Sequence, residues 1–396
     1  LLYSNNGNGK YGRRYRNLPE KKESCPRCGL PRSLARKLVW TTDGGIYFPE
    51  KHSERHIFLE IDDISLILKE AERICGEKIL DRLRELRRRF SRYRTMEQAG
   101  NGGLSLSRHR PLAGGMVKAV LEEASFFGAG GLEVAKIKPG KRLEVKAIRP
   151  YHPQLLAGDL WGFWEGFFGV RADMELETTP EGGCRVFLES VEKKKWGEGD
   201  GKKRADRPER DYELEVCEKC RLPLFPWELR WDRELGTIYQ PGTRRHFILT
   251  PVEGWRLVMG EIAHAAGENF AREAGRAMRE RAREEWKEAG ERGLRKAYRD
   301  FFTALPVLGW GKPVKVSRKP FLMEARLSGV PFPLILAWKM EGAFEALEKE
   351  PGEVEWRREG GSDFIYLLGP RLEGSFLSID ELRGSLPPRN IFPTTF

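Results

Sequence analysis

Four cysteines stand in two C-x-x-C pairs, in CPRCGLP from residue 25 and in CEKCRLP from residue 217. Two thiolates at this spacing can grip one side of a tetrahedral metal ion, and a second pair completes a four-sulfur set. Cys25, Cys28, Cys217 and Cys220 are therefore the candidate metal ligands, and zinc is the metal they suit. With four thiolates bound, no position is left for a water to be activated, so the expected zinc is structural. Three arrangements satisfy the pattern. One zinc can be shared by both pairs. Two separate sites can each be completed by histidine or by a second subunit, with His56 and His246 as the available imidazoles. The pairs can also be redox-active without metal. Six cysteines in 396 residues is ordinary usage, and in a reducing compartment close pairs act as ligands instead of disulfides.

Gly29 follows the first pair where a zinc knuckle needs positive φ, so that backbone amides can face the thiolates. The second pair carries Arg221 at that place. Other chemistry is sparse. The chain has no P-loop, no H-E-x-x-H and no G-x-S-x-G, and no residue is assigned a catalytic role. Glu165 and Glu341 become paired carboxylates if two halves of the chain face each other, and are salt-bridge or capping residues otherwise.

The elements that must position these groups repeat. After Cys28, KLVWTTDGGIYFP reads as a hairpin turning through Asp43 to Gly45, HIFLEI as a third strand, and Asp62, Asp63 and Ser65 as N-caps of one long helix striped by Ile67, Ala71, Ile74, Ile79, Leu83, Leu86 and Phe90. A helix from Met116, two strands around Pro139-Gly140, the glycine-punctuated aromatic helix LLAGDLWGFWEGFFG and the hairpin MELETTPEGGCRVFLE follow. Beyond Asp211 the order begins again. Cys217 and Cys220 match Cys25 and Cys28, Trp231 matches Trp40, Arg245-His246 match Arg55-His56, and Gly267-Glu268 match Gly76-Glu77, all at a nearly constant offset. MEGAF at Met340 echoes WEGFF at Trp164, and Ser362 stands where Cys184 stood.

Residues 116 to 189 resemble the 4-vinyl reductase family, also called hydrocarbon-binding domains, through the small-residue aromatic helix and the Gly-x-Cys-aromatic hairpin. Residues 297 to 369 resemble it more faintly. The resemblance implies a mixed α+β domain around an apolar pocket, with Leu155, Trp161, Trp164, Phe168 and Cys184 as ligand-binding residues. Some members hold a metal on two cysteines of the late hairpin, whereas here only Cys184 matches. The same aromatic residues serve equally as a packing core.

The expected fold class is α+β, in two tandem pseudo-repeats, each a C-x-x-C knuckle with hairpin and long helix followed by a mixed ligand-binding-like domain. The boundaries are a flexible basic arm at 1–24, the first knuckle module at 25–99, the first hydrocarbon-binding-like domain at 100–189, a charged linker at 190–211, the second module at 212–296, the second, degenerate domain at 297–370 and a tail at 371–396. The aromatic face of residues 161–168 makes the first half the expected ligand site.

Charge bounds the partners. Lys and Arg number 70 against 59 Asp and Glu, giving a net charge of +11. The basic arm and RLRELRRRFSRYR, residues 82–94, can meet phosphates, although such a run also serves as a solvated helix face, and mixed charge at 33% of residues also marks an ion-paired, thermophile-like surface. No apolar run is long enough to span a membrane, and the first residues have no apolar signal core, which points to the cytoplasm. The expected function is a non-catalytic zinc protein that binds an apolar small molecule or cofactor, or serves as accessory subunit of a complex, with a protein partner or a second copy. The alternatives are a basic zinc-containing nucleic-acid-binding protein and an enzyme acting on a bound cofactor.

Overall fold

Strand and helix periods alternate along the chain, and the computed structural model follows them. It describes residues 24–48, 51–100, 110–193, 214–291, 293–361 and 363–370. The basic arm, most of the linker, the tail and Ser362 lie outside the described residues. Residues up to 193 are called the first half here, and those from 214 the second.

The first half opens with the knuckle and a short helix α1 (Leu34–Lys37). β1 (Val39–Trp40), β2 (Ile46–Phe48) and β3 (Lys51–Glu60) follow, then α2 (Ile61–Cys75) and α3 (Lys78–Gly100). Next come α4 (Arg110–Phe126), β4 (Gly131–Lys138), β5 (Arg142–Ile148), α5 (Pro153–Phe168), β6 (Val170–Thr178) and β7 (Cys184–Lys193). The second half supplies β8 (Arg230–Asp232), β9 (Thr237–Tyr239), β10 (His246–Pro251), α6 (Val252–Glu291) and α7 (Leu294–Leu308). It closes with β11 (Lys312–Lys319), β12 (Leu322–Ser328), α8 (Pro333–Glu348), β13 (Gly352–Gly360) and β14 (Asp363–Pro370). Periodicity explains the assignments. In β5, Leu143, Val145 and Ala147 are buried while Arg142, Glu144 and Lys146 turn outward, the period of a half-covered strand.

A six-stranded antiparallel sheet, β1-β2-β3-β10-β9-β8, takes three strands from each half. Its middle pair has a reciprocal register, with Ile57 opposite Thr250 and Phe247 opposite Glu60. Two four-stranded sheets flank it, β4-β5-β7-β6 and β11-β12-β14-β13, with corresponding strands in the same order. The most extensive helix contacts join α3 to α5 and α6 to α8.

The long first-half helix read from the sequence is two helices. Gly76 takes φ +76° and ends α2, and Gly267 breaks α6 with φ +57°. The expected N-caps do not form. Glu60 occupies the cap position of α2 without a side-chain bond, Ser65 Oγ donates to the Ile61 carbonyl, and Asp63 turns toward the second half. The expected linker also begins later than residue 190, because β7 continues to Lys193.

Each early hairpin rests on the other half. Trp40 Nε1 donates to Val307 O at 3.0 Å, Arg55 Nη2 to Gly309 O at 2.9 Å, and the β1–β2 turn at Gly44 presses on Gly311. Conversely the β8–β9 turn meets the first half at Gly130, whose amide donates to Gly236 O at 3.1 Å. The strands that follow, β4 and β11, therefore start against a hairpin from far along the chain.

Candidate metal centre

Each C-x-x-C pair is folded by the same hydrogen bonds. Cys25 N–H donates to Leu30 O and Gly29 N–H to Cys25 O, at 2.8 and 2.9 Å. Cys217 N–H donates to Leu222 O and Arg221 N–H to Cys217 O, both at 2.8 Å. Isolated bridges Ser24–Pro31 and Val216–Pro223 close the two knuckles. Gly29 has φ +76° and Arg221 φ +61°, so the arginine adopts the conformation that glycine holds in the first pair.

The pairs converge. Cys25 Sγ lies 3.7 Å from Cys217 Sγ, and Cys28 Sγ 3.5 Å from Cys220 Sγ, with all four sulfurs within 4.8 Å of one another. Four thiolates at a zinc–sulfur distance of about 2.3 Å would be separated by about 3.8 Å along a tetrahedron edge. The donor set therefore fits one four-coordinate metal ion such as zinc. All four are free thiols, and their spacing is far beyond a covalent bond of about 2 Å.

The electrostatics favour thiolate at Cys25 and Cys217. Burial raises the Cys25 thiol, but the amides of Cys28 and Arg27, together with neighbouring thiols, outweigh it and bring it down to about 6. The amides of Cys220 and Lys219 lower Cys217 in the same way. Burial is the main cause that pushes Cys28 and Cys220 upward, with Cys25 and Cys217 adding to it. Outside the cluster, the Arg27 guanidinium pairs with Glu218 across the two knuckles.

The histidines are not part of this cluster. His56 Nδ1 sits 3.0 Å from Glu54 O and His246 Nδ1 3.0 Å from Arg244 O, the same local bond in each half. His56 is buried with its ring edge-on to Phe48. Separate sites completed by these imidazoles are not the geometry observed, because each cysteine pair finds its remaining donors in the other pair.

Part of the arginine run faces inward, while Arg82 and Arg89 stay exposed. Arg87 forks onto Asp159 with two bonds of 2.8 Å, Arg88 onto Glu165 at 2.9 and 2.7 Å, and Arg84 reaches Gln154 at 2.6 Å. Arg82, Arg89 and Arg94 pair with Glu261, Glu85 and Glu54. Three of these six guanidinium groups, Arg84, Arg87 and Arg88, are thus spent in the α3–α5 interface, the first on an amide and the other two on carboxylates. Close approach is what makes the forks fit: a Cβ on Gly162 would lie 2.0 Å from Arg88 O, one on Gly158 2.4 Å from Arg84 O and one on Gly166 2.7 Å from Arg92 O. Glu165 is fully buried, and Glu341 faces Arg279 at 3.7 Å. Both glutamates are salt-bridge residues of their own helix pairs, so the paired-carboxylate arrangement does not form.

Of the candidate ligand residues of α5, Leu155 and Trp164 are core, and Trp161 and Phe168 are half-buried against it. Leu155 and Trp164 are fully buried and Cys184 is buried in β7, where loss of solvent pushes its thiol up to about 11. Trp164 Nε1 donates to Ser190 Oγ at 3.0 Å and packs on Phe168 at 4.3 Å; Trp161 Nε1 donates to Ala172 O at 2.8 Å beneath the Arg88 guanidinium. These rings already have partners on their faces and edges. An apolar crevice opens elsewhere, where α2 meets α6 and the start of α8.

Sequence reasoning missed a buried ionic cluster between the halves. Glu60 accepts from Arg245, Arg281 and Lys339, and Asp63 from Arg281 at 2.7 Å and Lys339 at 2.5 Å. Burial alone would raise Glu60, but these cations hold it well below the usual carboxylate range. The signal was present in Lys339, a lone cation in the apolar helix sequence PLILAWKMEGAF.

In comparisons with protein-family models, curated proteins and solved structures, nothing matches this chain. No helix among the described residues is long and apolar enough to cross a membrane.

Proposed function

We propose that the protein is a non-catalytic, zinc-clamped binding protein, either a carrier of an apolar small molecule or an accessory subunit of a larger complex. The convergence of Cys25, Cys28, Cys217 and Cys220 carries this reading. A closed thiolate set has no open coordination position, and it joins the starts of two distant segments as a staple does. Duplication of one ancestral unit supports the arrangement: the knuckles share their hydrogen bonds, the four-stranded sheets share their strand order, and β3 and β10 pair reciprocally. The helix-then-hairpin order of α5, β6 and β7 agrees with the resemblance to hydrocarbon-binding domains, and Cys184 keeps a packing role in it. The inward use of the α3 arginines counts against nucleic acid as the partner.

Metal analysis with native mass spectrometry tests the reading. One zinc per chain is expected, lost together on Cys25→Ser or Cys217→Ser. Two zinc ions, or a metal-free protein of unchanged stability, would overturn the shared clamp.

A further inference from the structure

The outer faces of the two flanking sheets differ at corresponding places. In the first sheet, β5 and β7 set Arg142 opposite Glu189 and Glu144 opposite Phe187, a surface of mixed charge. In the second, β12 and β14 set Glu324 opposite Leu367, and Leu322 stands where β5 has Arg142. A Cβ on Gly369 would lie 3.6 Å from Leu322 Cδ1, which places Leu322 over the end of β14, on the face that also carries Leu367. The β11–β12 turn adds Phe321, which holds φ +56° after Pro320, where the first-half turn has Gly140 at φ +67° after Pro139. Phe321, Leu322 and Leu367 are 45%, 50% and 40% exposed. A bulky side chain kept in the left-handed region and turned to solvent is strain of the kind that marks a used surface. Cations border the patch: β11 holds four and no carboxylate, and its register puts Lys319 opposite Leu322 and Lys315 opposite Arg326 on the same face.

The chain itself supplies a matching segment. β14 runs antiparallel to β12 with Met323 opposite Leu368, so the chain leaves β14 beside Leu322. Five residues further on, FLSIDEL, residues 376–382, combines four apolar side chains with Asp380 and Glu381. Five extended residues reach about 17 Å, whereas β11 lies two strand spacings, about 10 Å, from β14. A tether this short gives an effective concentration on the order of millimolar, which a separate partner would have to exceed. The first half lacks both sides of the match, since its face keeps Arg142 and Glu189 and the chain after β7 is charged. We propose that residues 376–382 fold back over the outer face of the second four-stranded sheet, their apolar side chains on Phe321, Leu322 and Leu367 and their carboxylates toward Lys315 and Lys319.

The test places the photo-crosslinking residue p-benzoylphenylalanine at position 367 of the full chain. Irradiation of a mixture of unlabelled and ¹⁵N-labelled protein should join position 367 to residues 376–382 of the same molecule, read by tandem mass spectrometry. A link between labelled and unlabelled chains would identify a second copy as the occupant and overturn the proposal, as would a link to another part of the chain or no link. Limited trypsin digestion gives a second readout, because Arg383 directly follows the segment. Leu322→Gln with Leu367→Gln should speed cleavage after Arg383 at least tenfold, while Leu112→Gln, at an exposed leucine of α4, should leave it unchanged. Equal rates in wild type and the double variant overturn the covering.

Discussion

The carbonyl oxygen of Gly236 accepts the amide proton of Gly130 at 3.1 Å, and a Cβ on Gly236 would lie 2.1 Å from the Gly130 oxygen. Gly44 and Gly311 repeat the approach on the other side, with a Cβ on Gly44 2.6 Å from the Gly311 carbonyl carbon. Backbone meets backbone at both places, so neither side can yield by turning a rotamer.

Gly236→Ala should therefore cost about 2–4 kcal/mol, combining a left-handed backbone with a main-chain clash. Gly242 provides the control, because it has φ +75° but nothing within 4 Å of its Cβ position. Gly242→Ala should cost only about 1 kcal/mol. Urea denaturation midpoints measure both, and equal losses would show that the hairpin does not press on the far half.

Arg221 holds φ +61° at the position where the first knuckle has Gly29. Arg221→Gly should relieve about 1 kcal/mol of backbone strain while keeping the amide bond to Cys217 O. The expected result is a higher melting temperature with zinc bound and unchanged or tighter zinc retention against a chelator. Weaker retention would mean that the arginine side chain, not the turn, supports the metal site.

Much of the skeleton was legible in the sequence because it depends on local periods. The knuckles follow from C-x-x-C spacing, and β4, β5 and α5 follow from apolar alternation and turn residues. The partners of charged side chains were not legible. Arg84, Arg87 and Arg88 read as a basic surface because their acceptors, Gln154, Asp159 and Glu165, lie some seventy positions away. The glycines of α5 were visible, but their purpose depends on α3 lying against them. Asp63 read as a cap because a helix start was visible and Lys339 was too distant to suggest a competing partner. The break at Gly76 was obscured because the apolar stripe continues across it.

The Arg88–Glu165 fork gives a test of the inward helix interface. Glu165 is fully buried, so Arg88→Met strands much of its charge, with only Arg92 at 3.4 Å and the Ala172 amide remaining. The loss should be about 3 kcal/mol, and adding Glu165→Leu should recover part of it, since breaking a buried pair costs more than replacing it with apolar groups. A double-mutant cycle in urea measures the coupling. Additive losses would indicate that the fork is not formed in solution.

Acid sensitivity should begin above the carboxylate range. Burial lowers His152 to about 4, and its Nδ1 has no partner at the start of α5. The unfolded chain therefore takes up a proton near pH 6.5 that the folded chain refuses until about 4. Stability from this group is complete above pH 6.5 and falls as pH drops toward 4, by about 3 kcal/mol at most. Glu60, held low by Arg245, Lys339 and Arg281, acts lower down: its contribution is present above the ordinary glutamate range and is lost as pH falls through its depressed value. His152→Gln should flatten the upper limb of a urea-midpoint-against-pH curve and leave the lower limb. Protonation of the cysteines also weakens metal binding in acid, but wild type and variant share that effect, so the difference between their curves isolates the histidine. Parallel curves from pH 7 to 4 would mean that His152 is solvated in the native protein.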